Sequence, residues 1–172
     1  MPRFHPRARK RSRDFPFSRI LRQRFILYFD NRSSLAVPPE ADFYRWLWQA
    51  LKPHCRRVHI SLMLFDEEQA RSYNRDYRGK DYATNVLSFE SGYDHTNTLQ
   101  GDLIICPQVV LREAAEQGKT PTAHFAHLAI HGALHLLGYD HLNDSDAEIM
   151  EALEIRTMAQ LGFANPYVST HS

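Results

Sequence analysis

The stretch that decides the fold reads FAHLAIHGALHLLGYDH, residues 125–141. Its apolar side chains point in nearly every direction around a helix, which predicts that the helix is largely buried in the C-terminal half of the chain. These residues are Phe125, Leu128, Ile130, Leu134, Leu136 and Leu137. We expect the helix to run over about 121–137 and to end at Gly138, because glycine adopts the left-handed conformation of a helix end at little steric cost.

Three histidines interrupt this apolar stretch. His131 and His135 are four residues apart, so they lie on one face of the helix with Cβ atoms about 5–6 Å apart. On a straight helix His141 would lie about 15 Å along the axis from His131; a turn at Gly138 lets it approach. Three neutral imidazoles with a fourth position left to water are typical of a catalytic zinc site. We therefore predict one zinc ion per chain, bound by His131, His135 and His141.

Other residues near this motif leave alternatives open. His127 lies four residues before His131, and His124 lies seven before it. Because no glycine turn follows that register, we assign His127 to the surroundings of the metal ligands or to helix packing. Asp140 has three candidate roles, which are to orient a ligand, to activate water or to stabilise the turn. The spacing admits zinc and does not exclude nickel or another metal that imidazole binds.

The histidine spacing is also that of the metzincin proteases, whose motif is H-E-x-x-H-x-x-G-x-x-H. Gly132 occupies the position of the glutamate that acts as general base in peptide hydrolysis. A bound metal still lowers the pKa of its water, so hydrolysis does not require that base. A zinc peptidase is therefore the weaker alternative.

Periodic apolar patterns outside this stretch predict the rest of the fold. A polar, turn-rich connection over 91–98 separates the last two of four predicted strands, which are 25–29, 57–65, 85–89 and 103–106. Further helices are predicted over about 43–51, 66–77 and 107–117, with another opening at Ser145. Ser145 and Glu148 have the spacing of a capping box. The sequence therefore predicts an α+β fold, a mixed α/β sandwich in which a small four-stranded mixed sheet packs with about five helices.

Charge divides the chain into two regions. Residues 1–24 contain nine Lys or Arg and one Asp, a net charge of +8; since the whole chain carries +1, the remainder carries −7. A disordered basic arm of this kind is typical of nucleic-acid contact. A solvated tail without a partner and a transit peptide are the alternatives. We predict that residues 25–172 form a single catalytic metal-hydrolase domain.

Composition excludes several classes of protein. No run approaches the roughly 20 apolar residues that a membrane span needs, so we expect no membrane partner. No apolar segment follows the N-terminal charges, which argues against a secretory signal. The two cysteines, Cys55 and Cys106, are far apart in sequence and predict a reducing compartment. The cytoplasm is therefore expected, and the basic arm leaves an organelle open.

Three segments together resemble one known family. H-G-x-L-H-L-x-G-Y-D-H, filled by residues 131–141, resembles the signature of the YbeY family of ribosomal RNA maturation factors. YRGKDYATNVLSF, residues 77–89, is similar to that family's Y-R-x-K-D-x-x-T-[DN]-V-L-S-F segment, and GDLIIC, residues 101–106, to its G-D-[IV]-x-I strand. The similarity extends from about residue 25 to the C-terminus. Glu90 departs from it, because proline is usual after LSF.

The resemblance implies a metal-dependent endoribonuclease, specific for single-stranded RNA and usually described with zinc. Its implied roles are maturation of the 3′ end of 16S rRNA, in the pre-ribosomal small subunit, and ribosome quality control. It also implies His131, His135 and His141 as metal ligands and Arg78 as a functional residue. Arg78 and Lys80 are the expected substrate-binding residues, because an arginine fork can hold a phosphate bidentately. Ribosomal proteins are expected as further partners. The alternative from another class is a non-catalytic ribosome-assembly factor with a structural zinc.

Overall fold

The computed structural model describes residues 24–168 and contains four strands and five helices within them. In chain order these are β1 (Phe25–Asn31), α1 (Glu40–Leu51), β2 (Arg57–Leu64), α2 (Glu67–Arg78), β3 (Val86–Tyr93), β4 (Thr98–Ile105), α3 (Pro107–Glu116), α4 (Pro121–Leu136) and α5 (Asp144–Gln160). The predicted arm falls outside the described residues, except for Arg24. No helix within residues 24–168 combines the length and apolar character that crossing a membrane requires.

The strands form one mixed sheet in the order β1-β2-β4-β3. β2 lies parallel to both β1 and β4, and β3 runs antiparallel to β4. Along β2 every second residue is buried, from Val58 to Leu64, so one face of the sheet turns to the main core. The predicted α+β class, the four-stranded mixed sheet and the number of helices are confirmed.

Helix α4 lies at the centre of the main core. It packs against α1, α3, α5 and the strands β3 and β4. Ten of its 16 residues are buried, which confirms the prediction of a buried helix. Two glycines allow close packing: Gly101 of β4 lies beneath Leu136, where a Cβ atom would come within 2.7 Å of a Leu136 methyl carbon. Gly132 is the second, at the α4 surface that meets the sheet.

The last two strands are longer than the sequence predicted. β3 continues through Tyr93 and β4 begins at Thr98, so half of the connection predicted over 91–98 belongs to the sheet. A register shift between Glu90 and Gly92 accommodates the polar residues there. Asp94 closes the short turn, because its carboxylate accepts hydrogen bonds from the backbone amides of Thr96 and Thr98 at 2.8 and 3.1 Å. Glu90 therefore continues a strand, opposite Gly101.

The capping box predicted at Ser145 is wrong. Helix α5 begins at Asp144, and its N-cap is Asn143, two residues before Ser145; the Asn143 side-chain oxygen accepts the backbone N–H of Asp146 at 2.9 Å. The Asn143 amide group in turn donates to the Asp146 carboxylate at 2.7 Å. Asparagine caps a helix as well as serine does, so the sequence offers two possible N-caps, two residues apart. The predicted end of this helix near Gly162 is confirmed.

Candidate metal centre

Helix α4 presents two of the three predicted ligands. The Nε2 atoms of His131 and His135 lie 3.1 Å apart, as expected for residues one helical turn apart with their imidazoles converging. Both side chains are half-buried. The helix begins at Thr120, whose hydroxyl accepts the backbone N–H of Ala123 at 3.2 Å. The two imidazoles are therefore held on a helix fixed by a cap at its N-terminus and by burial along its length.

A glycine turn brings the third histidine to the same place. Gly138 has φ 92°, and the backbone N–H of Tyr139 donates to the carbonyl of Leu134 at 3.1 Å while that of Gly138 donates to the carbonyl of His135 at 2.9 Å. These two bonds form a Schellman motif, which reverses the chain after a helix. The His141 ring centroid consequently lies 5.8 Å from that of His131 and 5.2 Å from that of His135.

The three imidazoles fit a transition-metal ion. One nitrogen of each histidine lies within 4.8 Å of the others. Zinc–nitrogen bonds of about 2.0–2.1 Å in a tetrahedral site place ligand nitrogens about 3.3 Å apart. The His131–His135 separation of 3.1 Å already matches this value, and a shift of about 1.5 Å in the exposed His141 side chain would close the site. The donor set is all imidazole, which suits zinc and several neighbouring metals and leaves a position for water.

Burial keeps His135 in the form that binds a metal. Burial lowers the pKa of His135, and the neighbouring His131 and His141 lower it further because they disfavour another positive charge. A lowered pKa leaves the ring neutral at physiological pH, with a lone pair available to a cation. His135 is therefore neutral, which is the form that a metal ligand must have.

Glu154 of α5 is a buried carboxylate next to the site. Its side chain is 0% exposed and accepts hydrogen bonds from His131 Nδ1 at 2.5 Å, from His127 Nε2 at 3.0 Å and from the Tyr167 hydroxyl. Burial alone would raise the pKa of Glu154, but the hydrogen bonds from the two histidines outweigh it and hold the pKa at about 2. The carboxylate is therefore charged.

Sequence reasoning missed Glu154. The residue is 23 positions from His131, and no local motif links them. A signal was present nonetheless, because Glu154 lies four residues from both Met150 and Met158, on the buried stripe of α5. A carboxylate on an apolar stripe needs buried partners, and the histidines of α4 were the available donors.

The remaining predicted residues near this motif are His127, Asp140 and His124. His127 shares the Glu154 carboxylate with His131 and does not belong to the three-histidine group. Asp140 accepts the backbone N–H of His141 at 2.7 Å and lies 3.9 Å from its Nδ1 atom. Its observed contact therefore stabilises the turn. His124 is buried and bonds through Nε2 to Glu113 at 2.8 Å.

Gly132 faces the sheet. A Cβ atom at this position would lie 3.0 Å from Leu103 Cδ2, 3.1 Å from Val86 Cγ2 and 3.3 Å from Ser88 Oγ. The Ser88 hydroxyl also donates to the Gly132 carbonyl at 3.1 Å. A glutamate therefore does not fit at this position, where the metzincin general base would stand.

Arg78 and Lys80 lie on the surface, at the end of α2 and just beyond it. Both are exposed, and within residues 24–168 neither side chain forms an ion pair. Gly79, with φ 67°, ends the helix between them. The following loop is fixed by Arg71, which holds Asp81 through two hydrogen bonds of 2.8 and 2.9 Å. The structure thus presents two exposed cations, one on each side of Gly79.

A cavity of about 550 Å³ adjoins the histidines on one side. His131 forms part of its wall, together with residues of α3, of α4 and of the segment after α5: Asn85, Glu113, Glu116, Gln117, Lys119, His124, His127, Leu128, Pro166, Tyr167 and Val168. The lining is mainly polar. Its volume lies in the range typical of small-molecule sites.

Comparison with known proteins gives the family. The family described as Endoribonuclease YbeY matches residues 30–162. A relative from Neisseria meningitidis serogroup B, named Endoribonuclease YbeY, is 64% identical over 165 residues, covering 92% of this chain and 98% of its own length. One of the same name from Stutzerimonas stutzeri is 53% identical over 138 residues, covering 78% of this chain and 86% of its own.

A solved structure shares the fold. The solution structure of TM1509 from Thermotoga maritima superposes with a TM-score of 0.53 at 21% identity, covering 83% of this chain and 99% of that one. This likeness agrees with the α+β architecture. The family match and the two sequence relatives, together with the three converging histidines, show that the chain belongs to the YbeY family of endoribonucleases.

Proposed function

We propose that this endoribonuclease cuts single-stranded RNA at a zinc ion bound by His131, His135 and His141. Its proposed substrate is the 3′ end of 16S rRNA within the pre-ribosomal small subunit, where it acts in maturation and in ribosome quality control. The observation that carries the metal assignment is the convergence of three imidazole nitrogens within 4.8 Å on a helix end and its glycine turn. Zinc is preferred because three imidazoles with an open position are its usual catalytic arrangement.

The metal-binding histidines and Arg78 have different proposed roles in RNA cleavage. A bound divalent metal supplies a water of lowered pKa and neutralises charge on the phosphoryl oxygens. Arg78, exposed and free of ion pairs within residues 24–168, holds a phosphate of the RNA backbone bidentately, and Lys80 adds a second positive charge. Arg78 binds the substrate, whereas the three imidazoles bind the metal. Substrate binding and metal binding should therefore be separable by mutation.

A peptidase reaction has less support. The position of the metzincin general base is filled by Gly132, which packs against Leu103 and Val86 of the sheet. Asp140 is the carboxylate nearest in sequence to the three histidines. It accepts a hydrogen bond from the backbone N–H of His141 in the turn. RNA cleavage needs stabilisation of phosphoryl charge, which the metal and Arg78 together provide.

We place the protein in the cytoplasm. Cys55 and Cys106 are both free and buried, as in proteins of reducing compartments. The pre-ribosomal small subunit and its ribosomal proteins are the proposed partners there.

The test is cleavage of end-labelled single-stranded ribosomal RNA by the purified protein as isolated, stripped of metal, and stripped and then refilled with zinc. We expect cleavage to disappear on stripping and to return with zinc. His135→Ala should abolish cleavage and lower bound metal sharply, because two imidazoles hold zinc poorly. His95→Ala, which alters an exposed turn histidine, is the matched control.

Arg78→Gln separates catalysis from metal binding. Cleavage should fall by about 10²-fold or more while metal content stays stoichiometric, because the variant loses the positive charge that holds the substrate phosphate. Arg45→Gln, at an exposed arginine of α1, should leave both unchanged. Bound RNA and one metal per chain without cleavage under any condition would instead favour the assembly factor with a structural zinc.

A further inference from the structure

Glu154 is a charge held inside the protein. Its side chain is 0% exposed, between Met150 and Met158 on the same helix. An isolated carboxylate in such a place costs several kcal/mol, which hydrogen bonds must offset. The compensating contacts to Glu154 are therefore expected to be specific and hard to replace.

The two oxygens of Glu154 have different partners. Oε1 accepts from His131 Nδ1 at 2.5 Å. Oε2 accepts from His127 Nε2 at 3.0 Å and from the Tyr167 hydroxyl. Among residues 24–168, His127 and Tyr167 thus bind one oxygen of the carboxylate, and His131 binds the other.

This arrangement determines which nitrogen of His131 is free. A charged carboxylate at Nδ1 requires a proton on that atom, so Nε2 keeps its lone pair. The same Nε2 atom lies 3.1 Å from Nε2 of His135, at the point where the three imidazoles converge. The contact to Glu154 therefore fixes both the orientation of the His131 ring and its tautomer.

We propose that Glu154 is a positioning residue of the metal centre, which holds His131 with Nε2 directed at the ion, and that Tyr167 and His127 hold Glu154 in place. The proposal rests on the metal site assigned above and adds a residue of α5 and one of the C-terminal segment to it. Carboxylates that accept from the second nitrogen of a metal-binding histidine commonly change metal affinity 10- to 100-fold.

The same helix offers a matched comparison. His124 donates to Glu113 through a pair of similar length, 2.8 Å, but His124 is outside the three-histidine group. Removing the Glu113 carboxylate thus breaks a histidine–glutamate pair of the same chemistry on α4 without touching a ligand. A role that is only structural would make the two substitutions equivalent for metal affinity.

The experiment measures zinc affinity by chelator competition for the full chain and for Glu154→Gln, Tyr167→Phe and Glu113→Gln. We expect a 10- to 100-fold loss for Glu154→Gln, a smaller loss for Tyr167→Phe, and a value within twofold of the unaltered protein for Glu113→Gln. Zinc affinity within twofold for a folded Glu154→Gln would overturn the proposal. An equal loss for Glu113→Gln would overturn it as well.

A second readout needs neither metal nor RNA. Nitrogen-15 NMR of the metal-free, unaltered protein should show His131 protonated at Nδ1 only, and Tyr167→Phe should weaken that preference. If Glu154→Gln does not fold, these two measurements decide, and a His131 ring protonated mainly at Nε2 would refute the proposal. A protein that binds zinc with these dependences but cuts no RNA would refute the proposed function alone.

Discussion

Neighbouring residues of one motif face different parts of the molecule. His131 directs its imidazole to the metal centre and to Glu154, whereas the next residue, Gly132, meets Leu103 and Val86. The three histidines therefore share the metzincin spacing, but the position of the metzincin general base is filled by Gly132. At this scale the surroundings of each side chain decide which part of a motif can be functional.

Introducing the metzincin glutamate at position 132 should destabilise the fold without creating peptidase activity. Gly132→Glu places a Cβ atom 3.0 Å from Leu103 Cδ2 and carries a carboxylate into the core. Overpacking and burial of an unpaired charge together should lower the free energy of unfolding by more than about 3 kcal/mol. Urea denaturation checks this against Thr122→Glu, an exposed position in the first turn of α4 where a negative charge is tolerated. A stable Gly132→Glu variant that cleaves peptides would contradict both parts of this prediction.

Buried histidines predict how the metal-free protein responds to pH. Burial lowers the pKa of His124, against the opposing effect of Glu113, and also lowers that of His135. The unfolded chain therefore binds more protons than the folded one just below the ordinary histidine value of about 6.5, so stability falls as pH falls through that value. The lowered pKa of Glu154, about 2, places its own contribution at a lower pH, below about 4.3.

The measurement is the urea midpoint of the metal-free protein at pH 7.5, 6.5 and 5.5, values chosen around the unfolded pKa of about 6.5. We expect a progressive decrease, and a weaker one in His124→Gln, which removes one of the two titrating groups. His95→Gln, at an exposed site, should keep the full dependence. A midpoint that does not change over this interval would mean that the folded and unfolded chains bind equal numbers of protons, so that burial does not lower the pKa of these histidines.

Elements differ in how far their sequences specify them. Helix α4 and its end at Gly138 could be predicted because burial, periodicity and glycine agree on one structure. The extensions of β3 and β4 could not, since residues such as Ser91 and Gly92 of β3 are typical of turns until strand pairing is known. Glu154 was missed for the related reason that its partners are on another helix. Local patterns predicted the three histidines that converge, whereas the contact of His131 with Glu154 depends on tertiary structure.

The N-terminus of α5 has two candidate N-cap residues, Asn143 and Ser145. Asn143→Ala removes the oxygen that accepts the Asp146 N–H and should lower the free energy of unfolding by about 1 kcal/mol. Ser145→Ala, at the exposed position predicted from the capping-box spacing, should change it by less than about 0.5 kcal/mol. Chemical denaturation of both variants tests the difference. The opposite ranking would restore Ser145 as the cap.

In the molecule as a whole, the metal centre and its support come from the last third of the chain. The ligands belong to α4 and the turn after it, and Glu154 and Tyr167 follow on α5 and beyond. The sheet and α1 supply the surface on which α4 is buried. Residues 1–23 of the N-terminal arm lie outside the described residues, and RNA binding is their predicted role.

Arg24 marks where the arm meets the described structure. Its guanidinium donates to the Arg56 carbonyl at 3.0 Å and lies 5.3 Å from the Trp48 ring centroid. A deletion that tests the arm should therefore retain Arg24 and remove only residues 1–23. It takes away eight of the nine N-terminal cations.

The deletion should weaken binding of single-stranded RNA and flatten its dependence on salt. Each phosphate neutralised on a single strand contributes about −0.7 to the slope of log affinity against log salt, so the slope should shrink by up to about 5 if most of the eight cations contact RNA. Affinities measured between about 50 and 200 mM salt give the slope. Metal content should stay at that of the full chain, because the three ligands lie far along the sequence, from His131 onward. An unchanged slope would show that the arm makes no phosphate contacts, and lost metal would show that the domain requires residues before Arg24.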